Sequence, residues 1–226
     1  MRLIVSLPEN RLELAQAAAA GGADALKLHL NVTHDASGAH FGGWAEERSA
    51  ITSIISAVDV PVGVMPGAEK LPSPEDFADM AASGVRFIDL FAHHFPLHLL
   101  ERWSVFELIV AINRVLPERE LFYLTRLERE GANRISMLEA AIVPQEDYGK
   151  PLTFANVAAY RALADASQVP LLIPTQKLIQ PEDLCLLNEE GIGGVMLGVI
   201  VTGRGAETIE RVTRAFRLVI EDIIKE

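Results

Sequence analysis

The chain is poor in cysteine, in basic residues and in long apolar runs, and each scarcity closes off a class of protein. Cys185 is the one cysteine in 226 residues, so no internal disulfide can form and a reducing compartment is expected. Its leucine-rich surroundings, Leu184, Leu186 and Leu187, predict a buried packing residue rather than a reactive thiol. Lysine and arginine total 20 against 31 acidic residues, a net charge of -11. A nucleic-acid groove or an anionic membrane surface demands clustered cations, so neither partner is expected. No apolar run is long enough to span a bilayer, and the N-terminus has no basic segment leading into an apolar stretch with a small-residue cleavage site. Cytoplasmic residence is therefore expected. No Gly-x-Gly-x-x-Gly follows a strand, and no His-Glu-x-x-His marks a metal site.

Half of the residues are apolar, enough to bury a large core in one domain spanning residues 1–226. A phrase used twice organises the chain: Lys70-Leu71-Pro72-Ser73-Pro74-Glu75-Asp76 and Lys177-Leu178-Ile179-Gln180-Pro181-Glu182-Asp183. Each copy follows an apolar run opened by Val-Pro and precedes an apolar-periodic segment, a glycine and a second apolar run. A strand-loop-helix-strand unit repeated at about half the chain length suggests two similar halves.

Apolar runs and helix stops predict strands at Leu3–Leu7, Ala25–Asn31, Val60–Met65, Val85–Ala92, Phe106–Asn113, Ile135–Val143, Leu171–Ile173 and Gly194–Val201. Helices are predicted at Glu9–Ala20, Trp44–Val58, Pro74–Ala82, Leu97–Trp103, Pro117–Glu130, Phe154–Ala166, Pro181–Glu190 and Glu207–Ile224. Eight strands alternating with helices are the pattern of a parallel sheet covered by helices, closing naturally as an α/β (β/α)8 TIM barrel with a half-barrel internal repeat. An open doubly wound sheet is the competing arrangement.

In such a barrel the site lies at the C-terminal ends of the strands. On the second strand Leu26, Leu28 and Leu30 alternate with Lys27, His29 and Asn31. Leucines facing the helices would place Lys27 and His29 inside. A lysine there must be paired or have its pKa lowered, which suits a base, a Schiff-base amine, an anion anchor or a structural ion pair. Asp89 and Glu139 interrupt apolar strands, where an unpaired carboxylate is costly. They are candidates for acid–base catalysis or for pairing with Lys27. Asn113 ends the fifth strand, where it could orient a hydroxyl or form a turn. Thr175 and Lys177 follow the seventh strand, and Thr202 and Gly203 follow the eighth. The polar stretch from Val32 to Gly43, with His34 and His40, has the length of a functional loop. His93 and His94 add to the mouth. No histidine pair has tight ligand spacing, so no cofactor is expected, with a divalent metal left open.

Gly198, between an apolar strand and the start of a helix, allows backbone N–H groups to approach an anion. With Gly-Ala-Asp before a strand, Val-Pro opening strands three and seven, Pro-Glu-Asp opening helices and the half-barrel repeat, the chain resembles the ribulose-phosphate-binding barrels, in outline nearest to N-acetylmannosamine-6-phosphate 2-epimerases. The resemblance implies a substrate phosphate between the loops after strands seven and eight. It departs from the family at Thr175-Gln176-Lys177, where glycines are usual, and at Met65-Pro66-Gly67, where a lysine is usual. Lys177 could replace the missing backbone donors.

The function expected is that of an enzyme acting on a small phosphorylated sugar or sugar acid, an isomerase or epimerase. Lys27 or Glu139 would take a proton, Asp89 would return or relay it and His29 would polarise the oxygen. The alternatives are an aldolase-type carbon–carbon lyase, by Schiff base or metal, and a non-catalytic barrel that binds a phosphorylated ligand. Pairing into a homo-oligomer is open, and no residue marks a face for it.

Overall fold

Alternation along one short strand sets the orientation of the whole sheet. The computed structural model describes residues 1–96, 105–126, 128–129, 132–133 and 135–225. In β2 (Ala25–His29) Leu26 and Leu28 are fully buried against the helical coat, while Lys27 and His29 are buried on the opposite side. Around β2 stand β1 (Arg2–Ser6), β3 (Val62–Met65), β4 (Phe87–Phe91), β5 (Glu107–Ile112), β6 (Ile135–Ala140), β7 (Leu171–Pro174) and β8 (Ile192–Leu197). Every neighbouring pair is parallel, and the sheet closes where Arg2 to Val5 of β1 register with Gly194 to Leu197 of β8. The fold is a (β/α)8 barrel, not an open sheet.

Outside lie α1 (Leu12–Ala20), α2 (Trp44–Ala57), α3 (Pro74–Ala82), α4 (Glu118–Thr125), α5 (Phe154–Ala166) and α6 (Leu184–Leu187), with α7 (Val199–Thr202) at the barrel mouth and α8 (Ala206–Lys225) closing the outer layer. No helix among the described residues is long and apolar enough to cross a membrane. The large core lies between sheet and helices and includes Leu3, Leu26, Ile54, Met80, Tyr160 and Phe216. A second, smaller cluster, Ile4, Phe87, Ile109, Leu172 and Met196, fills the barrel itself. Gly63 makes room for it, because a Cβ there would come within 2.2 Å of the Phe87 ring.

The repeated phrase builds the same local device twice. Ser73 caps α3, its N–H bonding Asp76 Oδ2 at 3.0 Å, and the Gln180 N–H bonds Asp183 Oδ2 at 2.8 Å. Proline at the first turn and an acid folded back on the cap explain why Pro-Glu-Asp starts a helix in both places. The sequels differ: α3 runs for 9 residues, while Pro181–Asp183 is a 3-10 turn followed by the 4-residue α6.

Several boundaries depart from those the sequence suggests. The first helix begins at Leu12 rather than Glu9, because Asn10 is drawn into the barrel to bond His29. The segment expected to be helical to Glu130 leaves the helix after Thr125, whose hydroxyl bonds the Leu121 carbonyl and accepts the Gln168 N–H. Beyond it Glu128–Arg129 pairs antiparallel with Ala132–Asn133. The eighth strand stops at Leu197, and Val199–Thr202 is helical in spite of its β-branched residues. There the Gly198 carbonyl accepts the N–H groups of Val201 and Thr202, a local closure that overrides strand propensity. Cys185 is exposed, not buried, since the single turn of α6 turns Leu184 and Leu187 inward and leaves the residues between them outside. The helix expected at Leu97–Trp103 lies outside the described residues.

Candidate active site at the barrel mouth

Lys27, Asp89 and Glu139 come from β2, β4 and β6, so three alternate strands deliver one charged side chain each to the barrel interior. Lys27 Nζ lies 2.7 Å from Asp89 Oδ2 and 3.0 Å from Glu139 Oε2. All three are buried, Asp89 to 1% exposure. Burial pulls the Lys27 pKa down, but the two carboxyl groups outweigh it and raise it above the ordinary lysine value. Burial raises the Asp89 pKa well above the carboxylate range, and the neighbouring Glu139 carboxylate raises it further. At Glu139 the same burial penalty is overcome by Lys27 and by the bond to Asp89, and its pKa falls. These directions set the two acids apart: Asp89 holds a proton more readily than an ordinary carboxyl group, and Glu139 less readily. An ammonium held at ion-pair distance from both acids is the kind of pairing a low-dielectric interior requires of buried charge.

Above the trio opens a cavity of about 510 Å³. Its wall includes Ser6, Lys27, His29, Asp89 and Glu139, with Asn113, Thr175 and Gly198 from the strand ends. His34 of the second loop and His93 and His94 after β4 line it too, as do Tyr148 and the start of α7, Val199 and Ile200. Lys27 is the one lysine or arginine on this wall among the described residues. No group of three or more His, Cys, Asp or Glu side chains among them is arranged to hold a metal ion.

His29 is 1% exposed and held from its backbone: Asn10 Nδ2 donates to the His29 carbonyl at 2.8 Å, and Asn10 Oδ1 accepts the His29 N–H at 3.2 Å. Glu47 completes the clamp by accepting from Asn10 at 3.0 Å and from the Gly42 N–H at 3.1 Å. The ring has Nε2 at 3.5 Å from the Ser6 hydroxyl, while Nδ1 has no hydrogen-bond partner among the described residues. Burial, with His34 and Lys27 nearby, pushes its pKa well below 6.5, so the ring is neutral. Ser6, Asn10 and Glu47 had no local signature: a serine at a strand end and polar residues on adjoining segments acquire meaning only when the barrel closes.

The residues expected to bind substrate divide into two groups. Asn113, Thr175 and Gly198 line the cavity. Thr175 Oγ1 accepts the Gly198 N–H at 2.8 Å, locking the ends of β7 and β8 together. Asn31, Lys177, Thr202 and Gly203 are not on the wall. Asn31 has a positive φ of 54° and donates from Nδ2 to the Pro66 carbonyl at 3.0 Å, tying the loops after β2 and β3. Lys177 is 4% exposed with Nζ 3.2 Å from Asp147 Oδ2, so its charge is spent on that pair. Thr202 bonds the carbonyls of Gly198 and Gly203 within the turn of α7. Gln176 reaches Tyr148 instead, donating to its hydroxyl at 2.6 Å, and joins the loops after β6 and β7.

A closed parallel barrel with its polar groups at the C-terminal end defines the class by architecture. No protein-family model and no curated protein matches the chain. Solved structures do resemble it. The alpha subunit of tryptophan synthase from Legionella pneumophila has a TM-score of 0.72 at 14% identity, covering 98% of this chain and 93% of that one. Phosphoribosyl anthranilate isomerase from Thermus thermophilus has a TM-score of 0.64 at 16% identity, covering 99% and 100%. Thiamine phosphate pyrophosphorylase from Pyrococcus furiosus has 0.64 at 12%, covering 99% and 96%. At these identities the likeness is one of fold, since a barrel of this kind hosts many chemistries.

Proposed function

We propose that the chain is an enzyme that moves a proton beside the carbonyl of a small phosphorylated sugar or sugar acid, as an isomerase or epimerase does. The observation that carries the reading is the trio: two carboxyl groups at one ammonium, with their proton affinities driven in opposite directions. Acids separated in this way divide the work of base and acid. Glu139, kept ionised by Lys27, takes the proton from carbon, and the electron pair moves onto the carbonyl oxygen. Lys27 stays an ammonium, so it serves as the cation beside the developing oxyanion rather than as the base. Asp89, whose proton affinity is raised by burial, supplies the proton that restores a neutral product, and a neutral imidazole of the wall donates to the same oxygen. A Schiff-base lyase would require Lys27 to lose a proton that both carboxyl groups hold in place.

Support for the phosphate comes from two sides. Phosphoribosyl anthranilate isomerase and thiamine phosphate pyrophosphorylase, whose names carry a phosphate, share the barrel. At the Gly198 corner a Cβ would meet nothing nearer than Thr175 Oγ1 at 3.8 Å, so the wall is open to a ligand there. Lys177 is paired elsewhere, so a phosphate would rest on main-chain N–H groups of Val199 and Ile200 rather than on a lysine.

The test is solvent exchange. In deuterated water with a panel of short-chain aldose and ketose phosphates, the protein is expected to place deuterium beside the carbonyl of at least one compound, read by mass. Glu139→Gln should slow that exchange by about 1000-fold, within the range of a lost general base. Binding of panel members with no deuterium in any of them would leave a ligand-binding barrel and end the enzymatic reading.

A further inference from the structure

The loop after β2 is a folded flap rather than a loose connection. The Asn31 N–H bonds the Gly42 carbonyl, Phe41 bonds Val32, and His34 bonds Ala39, all between 2.8 and 2.9 Å, so residues 31–42 zip into a hairpin-like arch. Gly38, at a φ of 66°, turns its tip and returns an N–H to the His34 carbonyl at 2.6 Å. A guanidinium N–H of Arg204, from the segment between α7 and α8, bonds the Ser37 carbonyl and fastens the tip across the mouth. Thus one residue of the arch is held from within and from the neighbouring loop at once.

That residue's partner is His34. The main-chain N–H of Ser37 lies 3.1 Å from His34 Nδ1, and the Ser37 hydroxyl is also at 3.1 Å. A main-chain N–H can only donate, so Nδ1 is the acceptor and the ring proton sits on Nε2. No protein group among the described residues bonds Nε2. The ring lines the cavity with Lys27 and Glu139, and it meets His29 edge-on with centroids 4.7 Å apart. His29, by contrast, is 1% exposed and its Nε2 faces Ser6.

Resting on the proton-transfer reading, the geometry points to His34, not His29, as the imidazole that touches the substrate oxygen, donating from Nε2 while Ser37 and Arg204 act as positioning residues. A ring locked in one tautomer on a clasped arch is preorganised for an oxygen whose negative charge grows during reaction. The substrate enters beneath the arch with its oxygen between the His34 imidazole and the Lys27 ammonium. Burial, with Lys27 nearby, keeps the His34 pKa below 6.5, so the ring donates without carrying a charge.

Two measurements decide this separately from the reaction itself. In the protein labelled with ¹⁵N at histidine, the His34 resonances should show a single Nε2–H tautomer, and Arg204→Ala should turn it into an averaged mixture. An Nδ1–H tautomer, or averaging already in the native protein, overturns the inference whether or not any exchange is found. In the deuterium assay His34→Ala should lower the turnover rate about 100-fold with KM changed far less. His34→Gln, which keeps an N–H donor at similar reach, should recover about a tenth of the native rate or more. Native exchange in His34→Ala, or an equal loss in both variants, assigns the donor elsewhere. If the native protein exchanges nothing, the proton-transfer reading fails, and with it the catalytic role of His34, while the tautomer spectrum still decides the clasp.

Discussion

The two ends of the barrel interior are built from the same inward-facing positions, two residues apart on each strand, and they differ in everything else. Ile4, Phe87 and Met196 fill one end. Two residues further along the chain stand Ser6, Asp89 and, just past the end of β8, Gly198, which line the cavity at the other. On β6 the pair is Met137 and Glu139, on β2 Ala25 and Lys27. The filled end gains dispersion and burial. The hollow end gives up that packing for charges that satisfy one another. A defect at the floor should therefore be mechanical, and one at the mouth electrostatic.

Removing the ammonium should have the largest effect. In Lys27→Ala two buried carboxyl groups face each other without a cation, and breaking a buried pair in this way costs about 3–5 kcal/mol. The pH dependence carries the diagnosis. Without Lys27 the folded-state pKa values of Asp89 and Glu139 both stand above their unfolded values. An acid with a raised folded pKa contributes stability below its unfolded pKa and loses it as pH rises through the folded one. The variant should hence regain stability as pH falls from neutral toward 5, read by urea midpoints. The native protein follows the opposite sign at Glu139, whose lowered pKa contributes stability that is lost at acid pH. A deficit in Lys27→Ala that is flat with pH would mean lost packing rather than unpaired charge, and the contrast between the two ends would fail.

Much of this contrast is legible in the amino-acid sequence. Lys27 and His29 announce themselves because a period of two separates them from Leu26 and Leu28, and only a barrel interior could receive them. Asp89 and Glu139 stand out as acids in apolar strands. The clamp on His29 was not legible, since Asn10 and Glu47 lie 19 and 18 residues away and neither sits in a pattern. The end of β8 departs from its sequence pattern for a different reason. Val199, Ile200 and Val201 carry strand propensity, yet bonds to the Gly198 carbonyl turn them into a helix. Lys177 shows the limit of reading a repeat: its copy of the phrase is real, but its charge is consumed by Asp147, a residue the phrase does not contain.

At the floor the sharpest probe is the smallest side chain. Gly63→Ala adds one methyl group 2.2 Å from the Phe87 ring, a member of the buried apolar cluster inside the barrel. The ring must tilt or the strand must shift, and overpacking of this kind costs about 1–3 kcal/mol. This loss should be indifferent to pH between 5 and 8, because nothing in the cluster ionises, and Phe87→Leu in the same chain should recover part of it. An unchanged urea midpoint in Gly63→Ala would show that the floor is loosely filled, and the mechanical half of the comparison would fall.

The smallest effect belongs to the mouth again, where water can repair what is removed. Thr175→Val keeps the shape of a side chain that is 3% exposed and deletes the acceptor of the Gly198 N–H. Buried away from water, an orphaned N–H costs about 1–3 kcal/mol. Gly198, however, is half-buried on the cavity wall, so a water molecule can take the place of the hydroxyl and the cost should be about 1 kcal/mol or less. The consequence should appear instead in exchange: the Gly198 amide hydrogen, protected by Thr175 in the native protein, should exchange with solvent several-fold faster in the variant while amides of β7 and β8 keep their protection. If the loss of stability equals that of Gly63→Ala, the lip of the barrel is as dry as its floor. The cavity would then be no place for a hydrated polar substrate.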